Sequence, residues 1–274
     1  KESTSTGHAQ AAPPLALSHN QISSYLTCPR RYYITYFEGI KQPTSGVEHR
    51  GIAIHAAIED YLNAGEHWSF EELRASYEHH FSLDTDAVDW KGESPIALLE
   101  AGLDGLGLYY QEVLPKLRPA QGGVEVKFER RLGLFGKCRR EVSLKGRVDA
   151  VMTNGTLVDH KSSRRSPSPW DIELSLQPTV YALGLGLTGG VRVAFGYLVM
   201  GKKKNSATVC TTERTPEDVA WLATNLLPDL VDAITNQMFM PKPGWHCNTC
   251  YVRKPCGYRV DLKEYEDGTD SANN

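Results

Sequence analysis

Apolar residues recur first with helical spacing. Ser18 and Gln21 stand three apart as a capping box before Ile22, Tyr25 and Leu26, which predicts a helix running up to Cys28. Pro29 predicts a break directly after that cysteine. Tyr32, Tyr33, Tyr36 and Phe37 then form an aromatic surface, read as core in preference to a base-stacking platform. Ile52, Ile54, His55, Ile58, Tyr61 and Leu62 predict another helix, 98–114 contains a third, and 84–93 reads as the loop between them. After Gly122 and Gly123 the period shortens to two. Val124, Val126 and Phe128 alternate with charged residues, and 141–151 and 156–160 are β-rich on either side of a turn at Asn154 and Gly155. These segments predict a central sheet. Downstream come a Ser/Arg/Pro loop (162–169), a helix over 170–187, strands near 191–199 and 208–212, and a helix from 216 to about 237. No internal repeat interrupts this order.

With 274 residues, 41% hydrophobic and 23% charged, the chain can bury one large core or two small ones, which excludes a fibre or a disordered protein. No run of about 18 apolar residues and no basic-then-apolar leader is present, so no membrane association is expected and the cytoplasm is the expected location. The chain starts at Lys1, which reads as a trimmed or engineered end, and 1–16 is expected to be disordered. The net charge of −3 is unevenly spread: the acidic tail 261–274 carries −4, leaving +1 for the remainder. Basic clusters then stand out at Arg30-Arg31, Lys137-Cys138-Arg139-Arg140, Arg164-Arg165 and Lys202-Lys203-Lys204. Such runs are usually solvated faces, and they support phosphate contact only beside other signals.

The densest chemistry lies at Gly146-Arg147-Val148-Asp149, the Asn154-Gly155 turn, and Leu157-Val158-Asp159-His160-Lys161-Ser162. If the two strands pair as a hairpin, Asp149 and Asp159 converge on one divalent ion and the ammonium of Lys161 lies near an attacking water. That set suits phosphodiester hydrolysis. An Asp-x-Lys by itself is usually a surface salt bridge, so the surrounding pattern decides. Cys247, Cys250 and Cys256 place three soft ligands within ten residues, and Cys28 makes a fourth. Without an export signal these read as metal ligands rather than disulfides, and by count they suit a four-iron, four-sulfur cluster or tetrahedral zinc equally. Cys138 and Cys210 read as ordinary thiols.

Gly-Arg-Val-Asp, a spacer, then apolar-apolar-Asp-x-Lys-Ser resembles the core motif of RecB-like PD-(D/E)xK nucleases. Gly51-Ile-Ala-Ile-His55 resembles that superfamily's helix-borne histidine, Glu125 stands at a commonly acidic strand position, and Gln177-Pro-Thr-Val-Tyr181 matches its Gln-x-x-x-Tyr motif. One cysteine before the core and three after it resemble the iron–sulfur subgroup found among AddB-type and CRISPR-adaptation nucleases. The resemblance covers 18–258. It implies an α/β fold of restriction-endonuclease type: a central mixed sheet flanked by helices, a helical insertion at about 51–120, and a C-terminal cysteine cluster within one domain, 17–260.

The resemblance also implies the chemistry. His55, Asp149, Asp159 and the backbone carbonyl of His160 would hold magnesium or manganese, Lys161 would position the water, and Glu125 would support the site. Gln177 and Tyr181 would hold DNA and the active-site acids, and Arg164 and Arg165 would contact phosphates. Cys28, Cys247, Cys250 and Cys256 would hold the iron–sulfur cluster, with zinc as the alternative, as a staple rather than a redox centre. The expected activity is that of an exonuclease on single-stranded DNA ends in repair, recombination or defence. No Gly-x-x-x-x-Gly-Lys-Ser/Thr loop occurs, so any helicase or recombination partner would be a separate chain. The rival readings are the nuclease subunit of a helicase–nuclease complex, a catalytically silent DNA-binding scaffold, and a zinc-stapled module. Intact Asp149, Asp159 and Lys161 argue against the silent scaffold.

Overall fold

A computed structural model describes residues 13–65, 68–188, 190–201 and 204–258. Residues 1–12, Lys202 and Lys203 of the basic cluster, and the acidic tail lie outside the described residues. In chain order the elements are β1 (Leu15–Leu17), α1 (His19–Thr27), α2 (Pro29–Tyr36), β2 (Thr44–Ser45), α3 (Gly46–Ala64), α4 (Phe70–Ser82), β3 (Val88–Asp89) and α5 (Pro95–Glu112). There follow β4 (Pro119–Phe135), β5 (Arg140–Met152), β6 (Leu157–Ser163), α6 (Pro169–Glu173), α7 (Gln177–Leu185), β7 (Val191–Met200) and β8 (Asn205–Arg214). The chain closes with α8 (Pro216–Trp221), α9 (Leu227–Thr235) and α10 (Arg253–Cys256). Of the residues 1–16 expected to be disordered, Leu15 and Ala16 are ordered and pair with β5. Burial explains this: Leu15 and Leu17 point into the core, Leu17 with no exposed surface.

The described residues fall into two compact units, one formed by those up to His19 with Pro43–Thr235, the other by Asn20–Gln42 with those from Asn236. The first unit contains a mixed six-stranded sheet. β4 runs antiparallel along nearly the whole of β5. The other edge of β5 is shared: β1 pairs in parallel with Val142–Leu144, whereas β6 pairs antiparallel only through Ala150↔Val158 and Val151↔Leu157. Beyond that point β5 and β6 part, leaving a fork between them. β6 continues parallel to β7, which pairs antiparallel with β8. Leu157, Val158, Asp159 and His160 are all buried, as befits a central strand covered on both faces.

The helices α3, α4 and α5 cover one face through Ala53, Ile54, Ala57, Ile58, Leu73, Tyr77, Leu106 and Tyr109, packed on Ala150, Val158 and Leu198. On the other side α7 packs on β4 and β5. Phe128 makes that approach possible: a Cβ added to Gly146 of β5 or Gly184 of α7 would come within 2.5 or 2.2 Å of its ring. Gly146 of the Gly-Arg-Val-Asp motif is therefore a packing residue.

Two predicted helices are divided. The helix expected over 170–187 becomes α6 and α7, because Arg214, 4% exposed, draws the carbonyls between them out of helical register. Its Nη2 donates to Glu173 O (2.7 Å) and Ser175 O (3.0 Å), and its Nε to Thr179 Oγ1 (3.1 Å). The helix expected from 216 carries a π-helical turn, Leu222–Leu226, just before Pro228, which cannot donate a backbone hydrogen bond.

In the second unit α2 begins on Pro29 directly after Cys28. Tyr25, Tyr32, Tyr33, Phe37 and Phe239 pack with ring centroids 4.9–6.3 Å apart. Tyr25 Oη donates to Met238 O at 2.7 Å, and the Thr35 and Tyr251 hydroxyls lie 2.5 Å apart. Tyr25 and Tyr32 are core, as expected, whereas Tyr33 is half-buried and Tyr36 and Phe37, expected in the same core, stay exposed because they lie at the end of α2.

Candidate active site

The fork sets the geometry. The last paired residues are Ala150 and Val158, so Asp149 and Asp159 stand one step beyond, on the two parting strands. Where a continued ladder would satisfy the His160 amide from the main chain, the Asp149 carboxylate does so instead: His160 N donates to Asp149 Oδ2 at 2.7 Å. His55 Nδ1 lies 3.5 Å from the same oxygen. Its helix α3 can approach β6 because Gly51, one turn earlier, has no side chain; a Cβ there would lie 2.9 Å from Ser162 Oγ.

Asp159 is 2% exposed and surrounded by donors. Its Oδ1 accepts from Gln177 Nε2 (2.7 Å) and Tyr181 Oη (2.8 Å), while Gln177 Nε2 also donates to Tyr181 Oη (2.6 Å). Lys161 lies on the same side of the strand, two residues on, and its Nζ donates to Gln177 Oε1 (2.9 Å). Nζ is also 2.6 Å from Asp159 Oδ2, off the line a hydrogen bond requires, so that oxygen is buried without a hydrogen-bond partner among the described residues. Gln177 opens α7 and Pro178 follows it within the first turn, where its missing N–H costs nothing. The i, i+4 spacing then brings Tyr181 to the same carboxylate. Burial raises the Tyr181 phenol far above its usual range, with Asp159 adding to the shift, so it is a donor.

Glu125 approaches from β4. Its neighbours pair as Val124↔Ala150 and Val126↔Val148, which puts it across from Asp149 after a register shift. It has φ 54°, unusual for a side-chain-bearing residue and consistent with local strain. Burial pushes its carboxyl up to about 7; the Arg147 guanidinium, paired with it, opposes this, while Asp149 and Glu59 reinforce it.

His160 turns its ring to the opposite face. Its Nδ1 is 2.6 Å from Tyr109 Oη, and its Nε2 is buried without a hydrogen-bond partner among the described residues. Burial holds the imidazole at about 3, with His55 adding to the effect, so the ring is neutral. Gly196, its register partner on β7, makes the room, since a Cβ there would meet Tyr109 Oη at 1.9 Å.

The structure therefore brings together His55, Glu125, Asp149, Asp159, Lys161, Gln177 and Tyr181. Arg164 and Arg165 lie just past β6 in ion pairs, with Glu93 (3.0 Å) and Asp171 (3.8 Å) respectively. The sequence reading missed Tyr109, Gly196, Glu59 and Arg214. The His55-x-x-x-Glu59 spacing could have flagged Glu59, whereas the other three are visible only through long-range contacts.

Hard carboxylate oxygens and one imidazole fit a magnesium- or manganese-sized ion, and Asp159 Oδ2, ion-paired with Lys161 but without a hydrogen bond among the described residues, offers an acceptor. Among the described residues no three His, Cys, Asp or Glu side chains already stand as a ligand set, so holding an ion requires these side chains to draw together. In the second unit, Cys28, Cys247, Cys250 and Cys256 line one cavity of about 20 Å³, roughly one water's worth of room. Four thiols suit a soft metal, and a cluster larger than one ion requires the lining to open.

A sequence model of the PD-(D/E)XK nuclease superfamily matches residues 16–257. Among solved structures, a candidate exonuclease from Eubacterium rectale superposes with a TM-score of 0.56 at 11% identity, covering 97% of this chain and 98% of that one. The protein SSO0001 superposes with a TM-score of 0.45 at 15% identity, covering 92% and 91%. No curated protein matches the sequence. The first of these structures supports the fold. No helix among the described residues is long and apolar enough to cross a membrane.

Proposed function

Because this chain belongs to the PD-(D/E)XK nuclease superfamily, we propose that it is a metal-dependent exonuclease acting on single-stranded DNA ends, in the cytoplasm. The observation that carries the reading is the fork: two carboxylates on parting strands, with an ammonium 2.6 Å from one of them. His55, Asp149, Asp159 and the His160 carbonyl would hold magnesium or manganese. Such an ion, when bound, supplies positive charge to the phosphate and makes water more acidic.

The chain's own groups do the rest. Gln177 and Tyr181 fix the plane of the Asp159 carboxylate by holding one oxygen, and the other faces the Lys161 ammonium. Lys161, anchored by Gln177 Oε1, orients the attacking water and places positive charge beside the phosphate as its charge grows. The neutral His160 ring, braced by Tyr109, fixes its strand without adding charge. Glu125 modulates the charge around Asp149. Arg164 and Arg165 contact the strand's phosphates, and a helicase or recombination protein, where one takes part, is a separate chain. The four cysteines hold an iron–sulfur cluster that staples the second unit; their shared cavity supports a common metal, and its small size keeps zinc as the alternative.

Degradation of end-labelled single-stranded DNA with manganese or magnesium, using anaerobically purified protein beside Asp159→Ala, tests the reading. Cleavage lost in the variant supports it, and the label gives the polarity. No cleavage by metal-replete wild-type protein would overturn it in favour of a silent binder or a partner-dependent subunit.

A further inference from the structure

Outside the fork, one buried charge lacks a partner. Arg50 lies on α3 and is 5% exposed, yet its Nε has no hydrogen-bond partner and no carboxylate lies within ion-pair distance, among the described residues. Burying an unpaired cation costs several kcal/mol as an order of magnitude. Burial accordingly lowers the guanidinium's pKa, and the groups that act on it are Tyr77, Arg164 and Glu93. An arginine kept in that state has the chemistry of one whose partner comes from outside.

The surroundings specify the partner's charge. Arg164 follows β6, five residues after Asp159, and its guanidinium donates to Glu93 Oε1 at 3.0 Å. The other oxygen of Glu93 lies at the N-terminus of α3, where a Cβ on Gly46 would meet it at 3.1 Å. Gly46 and Arg50 are four apart and so share a helix face. α3 is a 19-residue helix whose first amides and dipole favour an anion. One carboxylate is thus bonded to Arg164 and lies beside the first residue of α3, while Arg50, four residues along the same helix face, remains unpaired.

We infer that Arg50, Arg164 and the N-terminus of α3 form a second phosphate site for the nucleic-acid strand, held in the free protein by Glu93 as an internal stand-in. A phosphate brings more charge and more acceptor oxygens than one carboxylate, so it can satisfy both arginines at once. It displaces Glu93, whose side chain is partly exposed. Gly51, the residue after Arg50, touches Ser162 of β6, which places this site along α3 from His55 by about 7.5 Å of helix rise, at 1.5 Å per residue. The strand that reaches the fork is then gripped at a neighbouring phosphate. This reading rests on the proposed nuclease function for the identity of the ligand.

The test measures binding without cleavage. Fluorescently labelled single-stranded oligonucleotides, with and without terminal phosphates, are titrated into the full chain in chelator at several salt concentrations. Glu93→Gln is expected to tighten binding severalfold, because the internal competitor is weakened. Arg164→Ala and Arg50→Met are expected to weaken it about tenfold each and to reduce the slope of log affinity against log salt by about 0.7 per lost phosphate contact. Arg50→Met should also melt at or above the wild-type temperature, which separates lost binding from misfolding. Equal binding of both oligonucleotides assigns an internal phosphodiester, and preference for the phosphorylated one a terminal phosphate; both support the site. Unchanged or weaker binding by Glu93→Gln, or unchanged affinity in both arginine variants, overturns it. Cleavage with manganese is scored separately: intact cleavage without these binding changes rejects this site alone, and the binding changes without cleavage reject the nuclease reading alone.

Discussion

The fork and the cysteine cavity organise their chemistry in opposite ways. At the fork the fold holds one oxygen of each carboxylate: Asp149 Oδ2 accepts from the His160 amide, and Asp159 Oδ1 from Gln177 and Tyr181. One oxygen of each carboxylate is thus oriented by the fold, and binding an ion still requires the side chains to draw together. The four cysteines line a small cavity from two short helical segments and a 3-10 turn, with the Val252 amide bonded to the Cys250 sulfur. A site built on strands within a core is partly preorganised by the fold, whereas the cysteine site proposed above, built on short turns, would take its order from what it binds.

Four measurements sharpen or break that contrast. The largest effect is expected from Asp159→Ala: cleavage falls at least about a thousandfold, since several kcal/mol of transition-state stabilisation are removed, while the melting temperature moves little. A collapse of folding instead would show that the carboxylate is structural. Next, Cys250→Ser should abolish bound iron or zinc by elemental analysis and lower Tm by roughly 10 °C, the shift produced by about 3–4 kcal/mol in a chain of this size. Unchanged metal content and Tm would mean that the second unit is held by its aromatic core alone. Third, Tyr181→Phe should cost about 10- to 100-fold in cleavage or metal affinity, the usual loss when a group that orients a metal-site carboxylate is removed.

The smallest effect concerns Glu125. In the metal-free protein burial pushes its carboxyl up to about 7, from an ordinary value of 4.5. Between those pH values the folded state holds a proton that the unfolded chain has lost, so stability falls as pH rises across the window. Glu125→Gln should flatten that slope in thermal melts of the metal-free protein. An identical slope in the variant would assign it to other groups.

Much of this site was legible in the sequence because its residues sit in short local patterns. Strand alternation puts Asp159 and Lys161 on one side, and the i, i+4 rule joins Gln177 to Tyr181. The fork was less legible. A hairpin was the natural reading of 146–162, and nothing local reveals that Leu15–Leu17 takes the place beside β5 that β6 vacates. Arg214 was equally hidden, since its role depends on carbonyls some forty residues away. The same holds for Tyr109, which needs Gly196 of β7 beneath its hydroxyl before it can reach His160.

The hydrogen bond from the His160 amide to Asp149 has a spectroscopic corollary. It makes one main-chain proton a gauge of the carboxylate's charge. An ion that draws on Asp149 takes electron density from the acceptor of that proton, so the ¹H–¹⁵N resonance of His160 should shift as metal is added, even where no substrate is present. Its exchange with deuterated solvent should change in step with occupancy. Loading of the nuclease centre could then be followed at a single amide, independently of turnover.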